Sequence, residues 1–288
     1  MGIVIVTIPG ETKKAFAQAL HTETNGAVDL VVIQKPRQFS LTERIRRLAA
    51  AVGWGGLSRE IWYGFLLRIN RRARESLEYF RFSEHRAAPR RAMPRFIEVD
   101  SINSDAVRRT LEDLKPDLLV VWGSTILERR LVHSAKHALN LHMGYCPHYR
   151  GALANQHAVL SNDYSKIGAT IHYVNGKADA GDVIAIIPAD TSKSPRELFA
   201  ELNRKSFETY IEIASRLFAG ETLPRTPQEH IPGRTLLLRE WTPSLRYALG
   251  RQMIEWERTK LPAPKFDAAL RAFTNGSGMR AHSEFLHD

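Results

Sequence analysis

Apolar side chains fall along this chain in two periods. Gly2–Thr7 (GIVIVT) is short and β-branched, which predicts a buried strand. Pro9-Gly10 marks a turn, and Glu11 to about Thr24 spaces Phe16, Leu20 and several alanines as a helix does. Val28–Ile33 (VDLVVI) repeats the strand pattern. A strand–helix–strand opening with buried strands is how a doubly wound, mostly parallel sheet begins, and its crossover is right-handed in nearly all cases. The rhythm continues in Phe96–Val99, a helix from about Ser104 to Leu114, Leu118–Trp122 (LLVVW) after Pro116-Asp117, and Ala138–His142 (ALNLH). After Tyr149-Arg150-Gly151 a helix runs to about Leu160, and Gly168–Val174 (GATIHYV) alternates as a strand. Asn175-Gly176 is a turn signal and Asp182–Pro188 (DVIAIIP) a returning strand. Ser194-Pro195-Arg196-Glu197 combines a cap, a proline at the first helical position and a glutamate at the third; the helix it starts should end near Ala219 and Gly220. The fold class expected is therefore α/β.

Residues 40–95 break this alternation. Ser40 and Glu43 suit a capping box for a helix reaching about Val52; Gly53, Gly55 and Gly56 interrupt it. Ser58 starts a second helix in which Ile61, Trp62, Phe65, Leu66 and Ile69 sit near helical spacing. Arginines crowd the segment, from Arg44 to Arg95, with Pro89 and Pro94 at its far end. It reads as a basic helical excursion between two βα units. The domain plan is a catalytic unit over 1–220, with this insertion at about 40–95, followed by a short C-terminal extension over 221–288. That extension holds one helical pattern around Leu245–Arg258, which could serve dimerisation, and a polar tail after Thr274.

Composition changes the picture only in places. A net charge of +10 suits an anionic partner (a phosphorylated substrate, a polyglutamylated cofactor, nucleic acid or a membrane surface) and equally a solubilising surface excess, so it settles nothing alone. The single cysteine, Cys146, excludes an internal disulfide framework and a cysteine-built zinc site, and suits a reducing cytoplasm. No apolar run is long enough to span a bilayer, and Met1–Thr7 lacks the basic leader of a signal peptide, so the expected location is cytoplasmic.

Open parallel sheets place their sites beyond the carboxyl ends of strands. At one such end, Asn140 and His142 are two apart, so both project to the same side. An amide donor beside an imidazole can hold an acyl oxygen and manage a proton. The loop Asn175–Asp182 (NGKADAGD) brings two carboxylates, Asp179 and Asp182, and a carboxylate beside an imidazole raises its basicity and fixes its orientation. His133, His137, His157 and His172 show no metal spacing and read as structural; no metal is called for.

Leu139-Asn140-Leu141-His142, Pro147-His148-Tyr149-Arg150-Gly151, Gly168–Val174 and Ala178-Asp179-Ala180-Gly181-Asp182, in this order and preceded by Lys115-Pro116-Asp117 through Leu127, resemble the signature of N10-formyltetrahydrofolate-dependent formyltransferases. The match covers about residues 96–220. The resemblance implies a Rossmann-type formyltransferase fold and a catalytic trio. Asn140 would bind the formyl oxygen as it gains charge, His142 would assist proton transfer, and Asp179 would balance His142 and help remove the amine proton, with Asp182 as the runner-up acid. It implies N10-formyltetrahydrofolate as co-substrate, held by Trp122, Ser124, Thr125, Leu127, Val174 and Asn175, and a primary amine as acceptor, met by Tyr149 and Arg150. A nucleophilic Cys146 is unnecessary to that chemistry.

Within the family, residues 221–288 look too few and too helical for the RNA-binding barrel of the methionyl-tRNA enzyme, although the catalytic domain is similar. The turn Ile8–Thr12 lacks the glycine-rich phosphate loop of the purine-pathway enzyme. The loop Met143–Gly151 is similar to variants in formyltransferases acting on nucleotide-linked amino sugars for surface polysaccharide biosynthesis, which makes such a sugar the expected acceptor. Another small amine or an aminoacyl-tRNA is the alternative, with nucleic acid the less favoured partner. A reading of a different class takes the Arg-rich insertion as a weak membrane-surface or nucleic-acid-binding element.

Overall fold

The computed structural model describes residues 2–82, 93–229 and 234–259. Its frame is a seven-stranded sheet. Strands β1 (Ile3–Thr7), β2 (Val28–Gln34), β3 (Arg95–Val99), β4 (Leu118–Trp122) and β5 (His137–His142) run parallel in the order β3-β2-β1-β4-β5. A three-residue strand, β6 (Tyr149–Gly151), follows outside this sheet. Strands β7 (Gly168–Tyr173) and β8 (Val183–Pro188) then extend the sheet antiparallel, β7 against β5 and β8 against β7. The chain order reverses at β1 and β4, so the loops that follow these two strands diverge and open a crevice.

Alternation along β1 explains the layers. Ile3 and Ile5 enter one core with Phe16, Leu20, Phe199 and Tyr210, whereas Val4 and Val6 enter the other with Val107, Leu111 and Leu131. Helix α1 (Glu11–Glu23) covers the first core. The insertion contributes α2 (Leu41–Val52), α3 (Leu57–Ile69) and α4 (Arg71–Glu78). Helices α5 (Asp105–Leu114) and α6 (Arg129–Val132) cover the second core; α7 (Ala154–Leu160) and α8 (Pro195–Phe218) cover the first. The cap on α8 forms in full: Ser194 accepts from the Glu197 N–H while Glu197 reaches back to Ser194 N–H.

The insertion differs in detail from its sequence reading. Ser40 accepts from the Glu43 N–H at 3.2 Å, but the Glu43 carboxylate turns to Arg47 and Arg37 rather than back to Ser40, so half the capping box forms. Ser58 lies inside α3, which begins at Leu57. A third helix, α4, starts after Asn70, whose side chain accepts from the Ala73 N–H. Arg86, Pro89, Arg90 and Arg91 at the far end of the insertion, and the polar tail 275–288, lie outside the described residues.

The C-terminal helical pattern becomes α9 (Pro243–Thr259). It packs on both the insertion and the main core. Gly250 meets Ala73 so closely that an added Cβ would lie 2.7 Å from the Ala73 Cβ, and Leu249, Met253 and Trp256 are buried in the first core. Glu60 of α3, fully buried, accepts from the Ser244 N–H at 2.9 Å and the Ser244 hydroxyl at 2.8 Å, capping α9 from another helix. Before α9, strand β9 (Arg234–Leu236) pairs parallel with β6. No helix among the described residues is long and apolar enough to cross a membrane.

Candidate active site

Asn140 and His142 stand at the carboxyl end of β5, and the antiparallel pairing with β7 sets Asn140 opposite His172 and His142 opposite Thr170. Residues opposed in a ladder project to the same face, so β7 adds a second imidazole beside the Asn140 amide. The 175–182 loop then folds back over this face. Gly181 makes that approach feasible: a Cβ there would lie 1.8 Å from the Tyr173 carbonyl oxygen. Asp179 sits in the left-handed region (φ 45°), which aims its carboxylate into the cluster.

The four side chains form one network. Asp179 Oδ2 lies 3.2 Å from His142 Nδ1 and accepts from the Gly151 N–H at 2.8 Å. Its Oδ1 accepts from the Asn140 amide at 3.0 Å and lies 3.3 Å from His172 Nε2. The Asn140 amide also meets His172 Nε2 at 3.1 Å. His172 Nδ1 faces the Tyr173 carbonyl at 2.8 Å, which can only accept, so Nδ1 donates there and Nε2 is left toward the Asn140 amide and the Asp179 carboxylate.

His142 has acceptors at both ring nitrogens, Asp179 at Nδ1 and the Tyr149 carbonyl 3.0 Å from Nε2. Burial pushes its pKa below the usual histidine value, outweighing the Asp179 charge and the Tyr149 carbonyl, which both raise it. A neutral imidazole satisfies one of these two acceptors, and taking up a proton satisfies both. Burial would raise the Asp179 carboxyl, but His142, His172 and the Gly151 N–H pull it down to about 2, so it is ionised at neutral pH.

The loops around the network are fixed from behind. The Cys146 N–H donates to Thr170 Oγ1 (3.1 Å), which donates to the Gly144 carbonyl (2.7 Å). Gly144 leaves no space for a side chain: its Cβ would sit 2.3 Å from His142 Nε2. Gln228 donates to the carbonyls of Asp179 (2.9 Å) and Gly181 (2.8 Å). Burial, reinforced by the Asp179 charge, pushes the Cys146 thiol up to about 12, so no thiolate nucleophile is available there. Asp182 is partly exposed, pairs with Arg225 at 3.6 Å and stays outside the network.

A cleft of about 2620 Å³ opens on this cluster, walled by the loops after β1 and β4 and by α2. Trp122, Ser124, Thr125, Leu127 and Val174 line it. The Trp122 ring itself is buried among Phe16, Phe82 and Phe207, with Lys13 over its face at 2.9 Å, so what it offers the cleft is backbone. Enclosure pushes the Lys13 ammonium well below its ordinary pKa. Thr125 is held by Gln34 through its N–H and hydroxyl. Asn175 does not line the cleft; it shapes the loop by accepting from the Lys177 N–H and donating to the Ala180 carbonyl. Nor do Tyr149 and Arg150: the Tyr149 hydroxyl donates to Asp163 and the Arg150 guanidinium to Gln228. Among the described residues no group of acidic, histidine or cysteine side chains could hold a metal ion.

Sequence reasoning missed His172, although the alternation of Gly168–Val174 beside Asn-x-His carried the signal. Gln228 left none.

The Formyl transferase family model matches residues 68–212, just over half of the chain. A methionyl-tRNA formyltransferase of Latilactobacillus sakei is 37% identical over 122 residues, covering 41% of this chain and 38% of its own. One from Akkermansia muciniphila is 29% identical over 181 residues, covering 62% and 54%. The matches thus span between about two fifths and just over half the length of these curated relatives. Among solved structures, an N-formyltransferase from Helicobacter canadensis in complex with folinic acid and dTDP-3-aminofucose aligns with a TM-score of 0.50 at 12% identity, over 92% of this chain and 84% of its own. The sugar 3N-formyltransferase WlaRD aligns with a TM-score of 0.51 at 11% identity, over 92% and 83%. At such identities these two attest the fold alone. With the family model matched across the strands and loops that build the network, this chain belongs to the formyl transferase family.

Proposed function

We propose that the protein transfers a formyl group from N10-formyltetrahydrofolate to a primary amine, and that the amine is carried by a nucleotide-linked amino sugar. The observation that carries the transfer reading is the closed network of Asn140, His142, His172 and Asp179 at the floor of the cleft. The cleft exceeds a typical small-molecule site of roughly 300–1,000 Å³, so a folate and an acceptor can share it. The pterin end belongs against the backbone of Trp122–Leu127 and Val174.

In this reading the acceptor nitrogen attacks the formyl carbon directly. The Asn140 amide turns from its partners to the formyl oxygen as negative charge develops. His142 takes the proton lost by the amine, and ionised Asp179 stabilises the resulting imidazolium. The carbon–N10 bond then breaks and N10 is protonated, releasing tetrahydrofolate and the formamide. Holding both reactants together supplies much of the rate gain, up to about 7–11 kcal/mol in ideal cases.

The acceptor reading rests on the cleft's charge. Arg37, Arg44, Arg47, Arg81 and Lys177 line it against Glu11, Glu98, Asp100 and Asp179, a small basic surplus that suits a diphosphate, and the Helicobacter canadensis protein was crystallised with a nucleotide sugar. The second reading, an aminoacyl-tRNA, is favoured by the curated relatives, which are methionyl-tRNA formyltransferases. One experiment separates them. The protein is mixed with N10-formyltetrahydrofolate and either a panel of nucleotide-linked amino sugars or methionyl-tRNA, and formylated products are read by mass spectrometry. Formylation of a sugar, lost in Asp179→Ala and reduced about 100- to 1,000-fold in Asn140→Ala, supports the proposal. Formylation of the tRNA alone replaces the acceptor. No product with any amine overturns the transfer reading.

A further inference from the structure

Helix α3 is amphipathic in reverse. Its inward face carries Glu60 and Gly64 as well as Leu67, while its outward face presents Ile61, Trp62, Phe65 and Ile69, which fall on one side at helical spacing. Ile61 is 69% exposed, Trp62 57% and Ile69 61%, and the Trp62 and Phe65 rings stack at 5.7 Å. Trp54, in the turn leading into the helix, is 71% exposed. Isolated exposed apolar residues are ordinary, but a full helical stripe with two stacked aromatics marks an interaction surface.

The charges around the stripe are predominantly positive. Arg59 and Arg68 flank it on α3, and Arg71, Arg72 and Arg74 follow on α4, all exposed. Glu60 of α3 is fully buried, bonded to Ser244 and 3.6 Å from Arg59, and the exposed Glu75 of α4 pairs with Arg71, which leaves Arg68, Arg72 and Arg74 as the positive surplus at the surface. Aromatic and aliphatic side chains ringed by arginines match the interface of an anionic bilayer, where the rings lie at headgroup depth and the guanidiniums meet lipid phosphates. A nucleic acid would use the arginines but offers nothing for Ile61 and Ile69. A second copy of the chain docked face to face would bring like-charged rims together.

We propose that the outward face of α3 docks the protein on an anionic lipid surface. Arg44 and Arg47 of the neighbouring α2 line the cleft, so docking sets the mouth of the cleft beside the headgroups.

The test is flotation of the full chain with phosphatidylcholine vesicles, with and without phosphatidylglycerol, alongside tryptophan fluorescence. Binding is expected with phosphatidylglycerol only, with a blue shift, and it weakens as salt rises. A Trp62→Ser/Phe65→Ser variant, with both changes at exposed positions and an unchanged melting temperature, should bind at least about tenfold more weakly. Absence of flotation at low salt, or equal flotation of the variant, overturns the proposal. So does a concentration-dependent dimer that the variant abolishes, which assigns the face to a second copy. Binding of an RNA duplex without vesicle binding, lost in the same variant, assigns it to nucleic acid.

Discussion

Asp179 is where single atoms decide the chemistry. Both carboxylate oxygens are committed, so its charge is fixed and His142 alone among the pair can change protonation near neutral pH. Because burial depresses the His142 pKa, the imidazole stays an acceptor below the ordinary histidine range. The acid limb of kcat/KM should therefore fall below about pH 6.5. Asp179→Asn removes the charge that props the His142 pKa up, so the residual activity should show that limb displaced further toward acid; a limb displaced upward would contradict the assignment. The same carboxylate has a stability signature. A folded pKa depressed to about 2 stabilises the native state above the unfolded value near 4, and that contribution is lost as pH falls toward 2. The linkage is worth roughly 2 kcal/mol. Melting temperatures of the wild type and Asp179→Asn should converge over this window as the wild type loses its advantage. Gly181 is a second position where one atom matters, since a Cβ would strike the Tyr173 carbonyl, which is backbone and cannot swing aside. Gly181→Ala should displace the Asp179 loop and reduce kcat by a factor of about 100, as expected when a reacting group is misplaced by about 1 Å, and lower the melting temperature, since the strand or the loop must yield.

Elements were legible where one local signal sufficed. Ser194 to Glu197 announced α8, and the runs Val28–Ile33 and Leu118–Trp122 became strands within a residue of their expected bounds. Signals failed where tertiary contacts decide. Helix α4 is short and arginine-rich, and it owes its place to α9, against which Ala73 and Ser76 pack, not to a periodic apolar stripe. Glu60 carries a charge, yet it is fully buried as the cap of α9. Glu60→Ala should leave the Ser244 N–H buried without a partner and its hydroxyl with Thr242 Oγ1 alone, costing roughly 2 kcal/mol. Gly250→Ala sets two terms against each other. Alanine gains up to about 1 kcal/mol of helix propensity, but the clash with the Ala73 Cβ and carbonyl costs about 1–3 kcal/mol. A net loss is expected because the carbonyl, 2.8 Å from the added carbon, is backbone. Thermal melts of both variants check the direction, and both should keep their turnover number, since neither position touches the network. The active-site elements show the same contrast: Asn140, His142 and Asp179 were legible as an ordered motif, whereas His172 needed the pairing of β5 with β7.

At the scale of the whole molecule, the boundary expected at residue 220 does not divide the packing. The segment from 221 to 259 supplies Gln228 to the carbonyls of Asp179 and Gly181, pairs Thr226 with Val183, sets β9 beside β6, and sends Leu249, Met253 and Trp256 into the same core as Phe16 and Tyr210. Those three side chains alone, at about 1.5–3 kcal/mol each for full burial, are comparable with the whole stability of an ordinary domain, about 5–15 kcal/mol. We therefore propose that residues 1–220 are not an independent folding unit. A chain ending at 220 should lose its cooperative melt and its folate binding together, by circular dichroism and by titration with formyl-folate. Gln228→Ala separates the two contributions of the extension: it should melt only a little below the wild-type temperature, since it loses three partly buried bonds, two to the loop carbonyls and one from Arg150, yet turn over more slowly, because the Asp179 loop is freed while the core is untouched. A cooperative melt in the shortened chain would return the boundary to 220 and reduce the extension to an accessory. Loss of the melt with unchanged turnover in Gln228→Ala would make the extension's contribution one of packing alone, with the Asp179 loop held by Gly151 and the two imidazoles.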